Sequence, residues 1–149
     1  MTSYALVTGS SKGIGKAIAE DLAKRKYNVL LVARSEKLLQ SLADELSQKY
    51  KVDVKWLALD LSEPMAALEL KNWVTKNNFP VSVLVNNAGY GLWGNFHELA
   101  LEDQNNMLRV NVFSLVDLTW LMIPVLMLQP KSYILNTGSM AGLQSIPTL

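Results

Sequence analysis

A glycine-rich turn behind an apolar N-terminal segment constrains the fold of this chain more than any other feature. The apolar segment Tyr4–Val7 leads into the turn Thr8–Gly15, and apolar residues then recur at helical spacing up to Leu22. A strand that turns through glycines into a helix gathers backbone N–H groups and the positive end of the helix dipole at one point. The glycines allow a tight turn and a close approach of ligand to backbone. We therefore expect a dinucleotide pyrophosphate to bind here, with a plain strand-to-helix turn as the alternative.

The remaining apolar runs predict a sheet that is covered on both faces. Four runs are almost continuously apolar: Ala5–Val7, Val29–Val32, Val83–Val85 and Tyr133–Leu135. Unbroken apolar strands are typical of parallel sheets buried between helices. In a fifth run, Lys51–Trp56, polar and apolar residues alternate, which favours an edge strand with one wetter face.

Helical patterns separate these strands. One places its leucines on one side between Leu38 and Leu46. Another is expected to begin near Ser62, with Ser62 as its N-cap and Pro64 in its first turn, and a longer one runs from about Leu101 to Met127. Strands that alternate with helices predict a doubly wound α/β fold with a parallel sheet and right-handed crossovers. We find no linker or repeat, and we expect one Rossmann-like domain over residues 1–149.

The long helix is apolar on two sides. Its first predicted stripe contains Leu108, Val112, Leu115 and Met122, and its second contains Phe113, Trp120, Leu121 and Val125. Such a helix needs two packing partners. The sheet of its own subunit is one, and we expect a second subunit to be the other, in a homo-oligomer formed through helix 101–127. Flanking parts of the same chain are the alternative.

Composition narrows the function classes. The formal net charge is +1 and the lysines are spread along the chain, which favours no nucleic-acid partner. Cysteine is absent, so disulfides and thiol catalysis are excluded. The N-terminus does not read as a signal peptide, and we expect a cytoplasmic protein. The most apolar stretch, Leu118–Leu128, is too short to span a bilayer.

Five motifs stand in order along the chain. They are Thr8–Gly15 (T-G-x-x-x-G-x-G), Asp60-Leu61, Asn86–Gly89 (N-N-A-G), Asn111 and Gly138-Ser139. Together they make the chain resemble the short-chain dehydrogenase/reductase family over its whole length. The resemblance implies reversible hydride transfer between a nicotinamide cofactor and a carbonyl or alcohol carbon.

The resemblance also implies roles for individual residues. Ser139 would hydrogen-bond the substrate oxygen, and Asn111 would hold a water through its backbone in a proton relay. The implied cofactor-binding residues are Thr8, Gly9, Ser11, Lys12, Gly13, Ile14, Gly15, Arg34, Asp60, Leu61, Asn87, Ala88 and Gly89. For Asp60, a helix-start carboxylate beside Ser62 is the alternative to accepting the adenine amino group. We expect no metal ion.

Arg34 favours NADP over NAD. Enzymes that use NAD usually carry an acidic residue after the second strand, on the ribose hydroxyls, whereas this chain has Arg34 there and Lys12 in the glycine turn. A guanidinium can clamp a 2′-phosphate with a planar fork of donors. The alternatives are solvated cations, or a pair between Arg34 and Glu36. We therefore expect NADP (NADPH) as the cofactor.

The chain departs from the family pattern at one point. No tyrosine is followed four residues later by a lysine, and family spacing would place the catalytic tyrosine about three residues beyond Leu149. We expect the N-terminal part of an NADP-dependent carbonyl reductase, truncated after its fifth strand and inactive by itself, with that strand left as an exposed edge. A non-catalytic nucleotide-binding or interaction module is the alternative. Trp93 and Phe96 could wall a hydrophobic substrate site, with packing of their own loop as the alternative.

Overall fold

A computed structural model describes residues 3–144 and 146, and in it five parallel strands form one sheet. The strands are β1 (Tyr4–Thr8), β2 (Asn28–Ala33), β3 (Val54–Ala58), β4 (Val81–Asn86) and β5 (Tyr133–Asn136), in the order β3-β2-β1-β4-β5. The helices are α1 (Gly13–Lys24), α2 (Glu36–Tyr50), α3 (Ala66–Lys76), α4 (Leu101–Leu108) and α5 (Ser114–Leu126). This architecture confirms the predicted doubly wound α/β fold.

The two faces of the sheet carry separate cores. Successive side chains of a strand point to opposite faces. Ala5 and Val7 of β1 therefore join the helices α1 and α2, whereas Leu6 joins α3 and α5. All five residues of β1 are buried, as are all six of β4. The unbroken apolar runs of these two strands are thus explained by helices on both sides.

The two edges of the sheet differ from each other. The edge position predicted for the alternating strand is confirmed, because among the described strands β3 pairs with β2 alone. β5 forms the opposite edge and pairs with β4. All four residues of β5 are exposed, so the prediction of a strand buried on both faces is wrong for Tyr133–Leu135. The prediction of an exposed edge is confirmed for the described part of the chain.

The start of α3 also differs from expectation. The helix begins at Ala66, and Met65, which precedes it, adopts a left-handed conformation with φ +73°. Ser62 is not its N-cap: the Ser62 N–H and hydroxyl both donate to Oδ1 of Asp60, at 2.9 and 2.8 Å. Asp60 thus folds the chain into a local turn, and the helix starts only after it.

The long helix is interrupted by one π-helical turn. That turn, Arg109–Phe113, lies between α4 and α5, and the Ser114 N–H bonds the Arg109 carbonyl five residues back. Because a wider turn rotates all following residues around the axis, the buried stripe differs from the predicted ones. It consists of Ser114, Leu118, Met122 and Leu126. Of the predicted stripe residues, Met122 is buried, whereas Leu108, Val112, Phe113 and Trp120 are exposed.

The same helical run raises the question of a membrane. By length and composition alone, Leu101–Leu126 could cross one. Its buried stripe packs on the sheet through Leu118 and Met122, and 22% of its apolar 18-residue window is buried. The absence of a membrane span stays a prediction.

A polar cluster closes the amino end of the sheet. The Tyr4 hydroxyl donates to Asp53, and Lys55 pairs with the same carboxylate at 2.9 Å. Burial, followed by the hydrogen bond to Asp53, raises the pKa of Tyr4 to about 12. Burial acts to raise the pKa of Asp53, but the hydrogen bonds from Tyr4 and Lys55 outweigh it and hold that pKa below its usual value.

Candidate cofactor and active site

The carboxyl ends of the five strands gather the predicted site residues at one edge of the sheet. Gly9 follows β1, Arg34 follows β2, Asp60 follows β3, Asn87 follows β4, and Ser139 lies three residues beyond β5. Ligands of open parallel sheets bind in the crevice outside these ends, where the strand order reverses. Here the order reverses between β1 and β4, which are neighbours in the sheet.

The glycine turn is packed tightly on one side and open on the other. A Cβ on Gly9 would lie 2.8 Å from Cα of Ala88, and a Cβ on Gly15 would lie 2.3 Å from the Gly9 carbonyl oxygen. Nothing lies within 4 Å of a Cβ placed on Gly13, whose φ is +58°. Gly9 and Gly15 therefore let the turn pack against the chain, and Gly13 faces open space.

Thr8 and Asn87 join the glycine turn to the end of β4. The buried Thr8 hydroxyl accepts from the backbone N–H groups of Asn87 and Ala88, both at 3.0 Å, and donates to the Val85 carbonyl at 3.1 Å. The Asn87 amide donates to the carbonyls of Thr8 (3.0 Å) and Gly9 (3.3 Å). These contacts give the polar groups of both residues a structural role, which is compatible with the predicted one, and cofactor binding by Thr8 and Asn87 stays a prediction.

The start of α1 is suited to an anion. Lys12 is its N-cap, and no side chain caps the helix there. The first N–H groups of a helix lack partners within the helix and attract negative charge. Lys12, Gly13 and Ile14 are exposed, with Ser11 half-buried beside them. An uncapped helix start, an exposed cation and the open space at Gly13 fit the pyrophosphate of a dinucleotide.

Arg34 and Asp60 face each other across the ends of β2 and β3. Nη1 of Arg34 lies 3.9 Å from Oδ2 of Asp60, with 75% of the arginine side chain and 37% of the aspartate side chain exposed. Arg34 thus pairs with Asp60 rather than with Glu36. The other Asp60 oxygen holds the turn with Ser62. Leu61, which follows, buries its side chain in the core beneath the crevice.

Asn111 lies in the π-helical turn and binds the backbone of Tyr90 on both sides. Its amide donates to the Tyr90 carbonyl at 2.8 Å, and its Oδ1 accepts from the Tyr90 N–H at 3.0 Å. A Cβ on Gly89 would lie 3.1 Å from that oxygen, so a glycine is favoured there. π-helical turns are frequent at functional sites, and this one fixes the chain that leaves β4.

Ser139 follows β5, and an aromatic loop that contains Trp93 and Phe96 follows β4. Ser139 is exposed, and its Oγ accepts from the Ala141 N–H at 3.1 Å at the start of a short 3₁₀-helix, Met140–Gly142. Trp93 and Phe96 are 69% and 79% exposed. Gln104 ties their loop to α4 by donating to the carbonyls of Phe96 and Leu99, both at 3.1 Å.

Two residues of the site were missed from the sequence. Ser10 is fully buried, and its N–H and hydroxyl both donate to the Val32 carbonyl, at 3.2 and 3.3 Å. Tyr90 acts through its backbone alone, which no side-chain pattern can indicate. A serine between Gly9 and Ser11 carries no signal of burial, whereas Thr8 at a strand end did point to the crevice. Within the described ranges, His, Asp and Glu side chains form no group suited to a metal ion.

Curated relatives of this chain are reductases. It is 34% identical over 150 residues to the very-long-chain 3-oxoacyl-CoA reductase of Bos taurus, covering 98% of this chain and 47% of that protein. The reductase of the same name from Eremothecium gossypii is 36% identical over 154 residues, covering 99% and 44%. The chain therefore spans about half the length of the curated relatives it matches.

Solved structures share the fold. The L-sorbose reductase of Gluconobacter frateurii, solved with NADPH and L-sorbose, superposes with a TM-score of 0.93 at 31% identity, covering 99% of this chain and 56% of that one. An alcohol dehydrogenase of Thermococcus sibiricus, solved with 5-hydroxy-NADP, gives 0.92 at 32% identity, covering 99% and 63%. The short chain dehydrogenase family profile matches residues 3–149, and the chain belongs to that family.

Proposed function

We propose that this protein is an NADP-dependent oxidoreductase that interconverts a carbonyl compound and its alcohol. The observation that carries the cofactor choice is Arg34, a largely exposed guanidinium at the end of β2, where NAD-dependent enzymes usually carry an acidic residue. Bound NADPH supplies the hydride. Both structural neighbours described above were solved with an NADP-type ligand, which supports the same choice.

The cofactor half of the site is built on β1 to β4. The start of α1, with Lys12 and the open side of Gly13, receives the pyrophosphate. Arg34 takes the 2′-phosphate through the donors that do not face Asp60. Asp60 accepts the adenine amino group, and Ala88 and Gly89 line the adenosine ribose. Thr8, Gly15 and Asn87 hold this half in shape through the contacts described above.

The reacting half lies beyond β4 and β5. The Ser139 hydroxyl accepts one hydrogen bond from Ala141, which leaves its own proton to be donated to a substrate oxygen. Such a donor stabilises negative charge that develops on that oxygen during reduction. Asn111 fixes Tyr90 with its side chain, so its backbone carbonyl is the group proposed to hold water for the relay. Neither Ser139 nor Asn111 is proposed as the acid that protonates the substrate oxygen.

The proposed substrate is a ketone on a long acyl thioester. The curated relatives are named for very-long-chain 3-oxoacyl-CoA. In this chain, the exposed rings of Trp93 and Phe96 stand in the loop that leaves the β4 end of the crevice, where they offer apolar surface to an acyl chain.

Turnover and binding together test this proposal. The intact mass of the natural product and its reading frame past codon 149 define the protein to be assayed. We expect it to oxidise NADPH in the presence of 3-oxoacyl-CoA esters, faster with longer chains, and to leave L-sorbose unreduced. The variant S139A is expected to lower kcat by about 10²-fold or more with the NADPH affinity unchanged. Equal rates with NADH, or no effect of S139A, would contradict the proposal.

A non-catalytic nucleotide-binding module is the second candidate. The glycine turn and the strand ends that are proposed to hold the dinucleotide suffice for binding without catalysis. This candidate predicts NADPH binding without turnover on any carbonyl substrate, and a stop codon after position 149.

We also propose that the α4–α5 surface joins two copies of the protein. Phe113 and Trp120 are 60% and 73% exposed and line a groove of about 660 Å³ beside the turn that precedes α3. Arg109 and Asp117 stand four residues to either side of Phe113. An antiparallel pairing about Phe113 would thus place the arginine of each copy near the aspartate of the other, as a two-fold interface requires. Light scattering should show a dimer that W120E dissociates.

A cytoplasmic location stays a prediction.

A further inference from the structure

We infer that Asp60 lowers the protein's preference for NADP over NAD, and so acts as a residue that sets cofactor specificity. The inference rests on the proposed function, and in particular on Arg34 as the group that meets the 2′-phosphate. It concerns the carboxylate that faces Arg34, whose effect on the choice of cofactor is separate from any contact with adenine.

The position of the Asp60 carboxylate is set by its neighbours. Oδ1 accepts two hydrogen bonds from Ser62, at 2.9 Å from the backbone N–H and 2.8 Å from the hydroxyl. This turn leaves Oδ2 aimed at Arg34, 3.9 Å from Nη1. The negative charge is therefore held beside the arginine by contacts that do not involve the arginine.

The pair is too weak and too open to order Arg34. At 3.9 Å the two groups attract each other without a hydrogen bond, and three quarters of the arginine side chain is exposed. Exposed pairs of this kind add little stability, because water screens them and ordering long side chains costs entropy. A role in positioning Arg34 is accordingly the weaker interpretation.

The charge of Asp60 lowers the affinity of Arg34 for a 2′-phosphate, whereas positioning of Arg34 would raise it. A carboxylate beside the guanidinium offsets part of its positive potential, and a 2′-phosphate that approaches Arg34 also approaches this carboxylate. NADH lacks the 2′-phosphate and therefore meets no such repulsion at Arg34. Both cofactors share the adenine, so the ratio of their affinities cancels any common contact with Asp60 and isolates the effect of charge.

The test compares the affinities of NADPH and NADH by isothermal titration calorimetry, in the wild-type protein and in D60N. Asparagine keeps an oxygen that can accept from Ser62 and removes the charge. We expect D60N to raise the preference for NADPH over NADH by about two- to fivefold, and added salt to shrink that gain. The matched control E63Q removes the same charge from an exposed residue of the same turn, and it should change the ratio by less than about 1.5-fold. D60S, neutral with a shorter acceptor, should reproduce D60N.

The outcomes separate this inference from the proposed function. An unchanged ratio in D60N, with a wild type that prefers NADPH, overturns the inference alone. A lower ratio in D60N also overturns it, because Asp60 would then position Arg34. A wild type that binds neither cofactor, or an R34L variant with an unchanged ratio, refutes the proposed cofactor choice and the inference with it.

Discussion

Strands β1 and β5 are similar in sequence and opposite in environment. β1 reads Tyr-Ala-Leu-Val-Thr and is buried at every position, whereas β5 reads Tyr-Ile-Leu-Asn and is exposed at every position. β1 has paired strands on both sides and helices on both faces, while β5 has β4 on one side. The apolar character of a strand therefore predicts that it pairs in a sheet, and its neighbours decide whether it is buried.

This contrast divides the candidate site into two halves. The groups proposed to hold the cofactor extend from β1, β2, β3 and β4, whereas Ser139 follows β5. The strands of the cofactor half contribute to the two buried cores, whereas Ser139 follows β5, the least buried strand. Stability and cofactor binding should accordingly respond to changes in the first half far more than in the second.

The largest expected effect is on stability in the buried half. Leu84→Ala in β4 removes a side chain that is fully buried, and we expect a loss of about 3 kcal/mol or more in the free energy of unfolding. The matched change Leu135→Ala, at a position that is 48% exposed, should cost less than about 1 kcal/mol. Urea unfolding measures both. Equal losses would show that β5 is buried in solution, against the contrast drawn here.

The next effect concerns the glycine turn. Gly15→Ala would place a Cβ 2.3 Å from the Gly9 carbonyl oxygen, so α1 or the turn must shift. We expect a loss of about 2 kcal/mol in stability and weaker NADPH binding in calorimetry. Gly142→Ala is the control on the β5 side, where a Cβ meets nothing within 4 Å. If the two variants behaved alike, close packing at Gly15 could not be the cause.

A smaller effect follows from the Asn87 amide. Asn87→Ala leaves the carbonyls of Thr8 and Gly9 without the donor they now have, at an expected cost of about 1–2 kcal/mol. Asn95→Ala, which removes an exposed amide bonded to Glu98, should cost less than about 0.5 kcal/mol. Thermal unfolding compares the two. A loss of stability at Asn87 no greater than that at Asn95 would show that the hydrogen bonds from the Asn87 amide to Thr8 and Gly9 add no measurable stability.

Most of the fold was predictable because the strands are short apolar runs that alternate with helical patterns along the chain. The edge position of β3 followed from its alternating pattern, and the crevice followed from parallel topology. The exposure of Tyr133–Leu135 was not predictable from their own side chains, since the exposed fraction of a strand depends on the elements that lie beside it. The π-helical turn at Arg109–Phe113 escaped notice because a sequence gives no sign of one extra residue in a helical turn.

The site was predictable in its parts and less so in their division of labour. The positions of Gly9, Arg34 and Asp60 at strand ends follow from the motifs. The motifs did not indicate that the polar groups of Thr8 and Asn87 bind each other's segments. These hydrogen bonds join residues that are 77 to 80 positions apart in the sequence. The pairing of Arg34 with Asp60 instead of Glu36 required the register of β2 and β3.

The smallest expected effect is at the amino end of the sheet, away from both halves. The pKa of Asp53 is lowered in the folded chain, so its contribution is present above its ordinary pKa of 3.8 and is lost as the pH falls below that value. The pKa of Tyr4 is raised from 10.0 to about 12, so its contribution is present below pH 10 and is lost as the pH rises through about 12. Tyr4→Phe should flatten both limbs of the stability profile.

Urea midpoints in the wild type and Tyr4→Phe check this at acidic, neutral and alkaline pH. We expect a difference of about 1 kcal/mol or less at neutral pH, because Asp53 is partly exposed, and a smaller difference at about pH 3 and about pH 11.5. A difference that is constant across the pH range would leave the hydroxyl–carboxylate pair without a measurable part in stability. The cofactor affinity should be the same in both proteins.

The Thr8 hydroxyl has a consequence for how a ligand is met. It accepts from the N–H groups of Asn87 and Ala88 just after β4 and donates to the carbonyl of Val85 within that strand. The ends of β1 and β4 are therefore fixed to each other. The shape of the turn is thus set when the sheet forms. The entropy cost of ordering the turn is therefore met during folding and not when a dinucleotide binds. A preformed crevice of this kind adapts little to a ligand of a different shape.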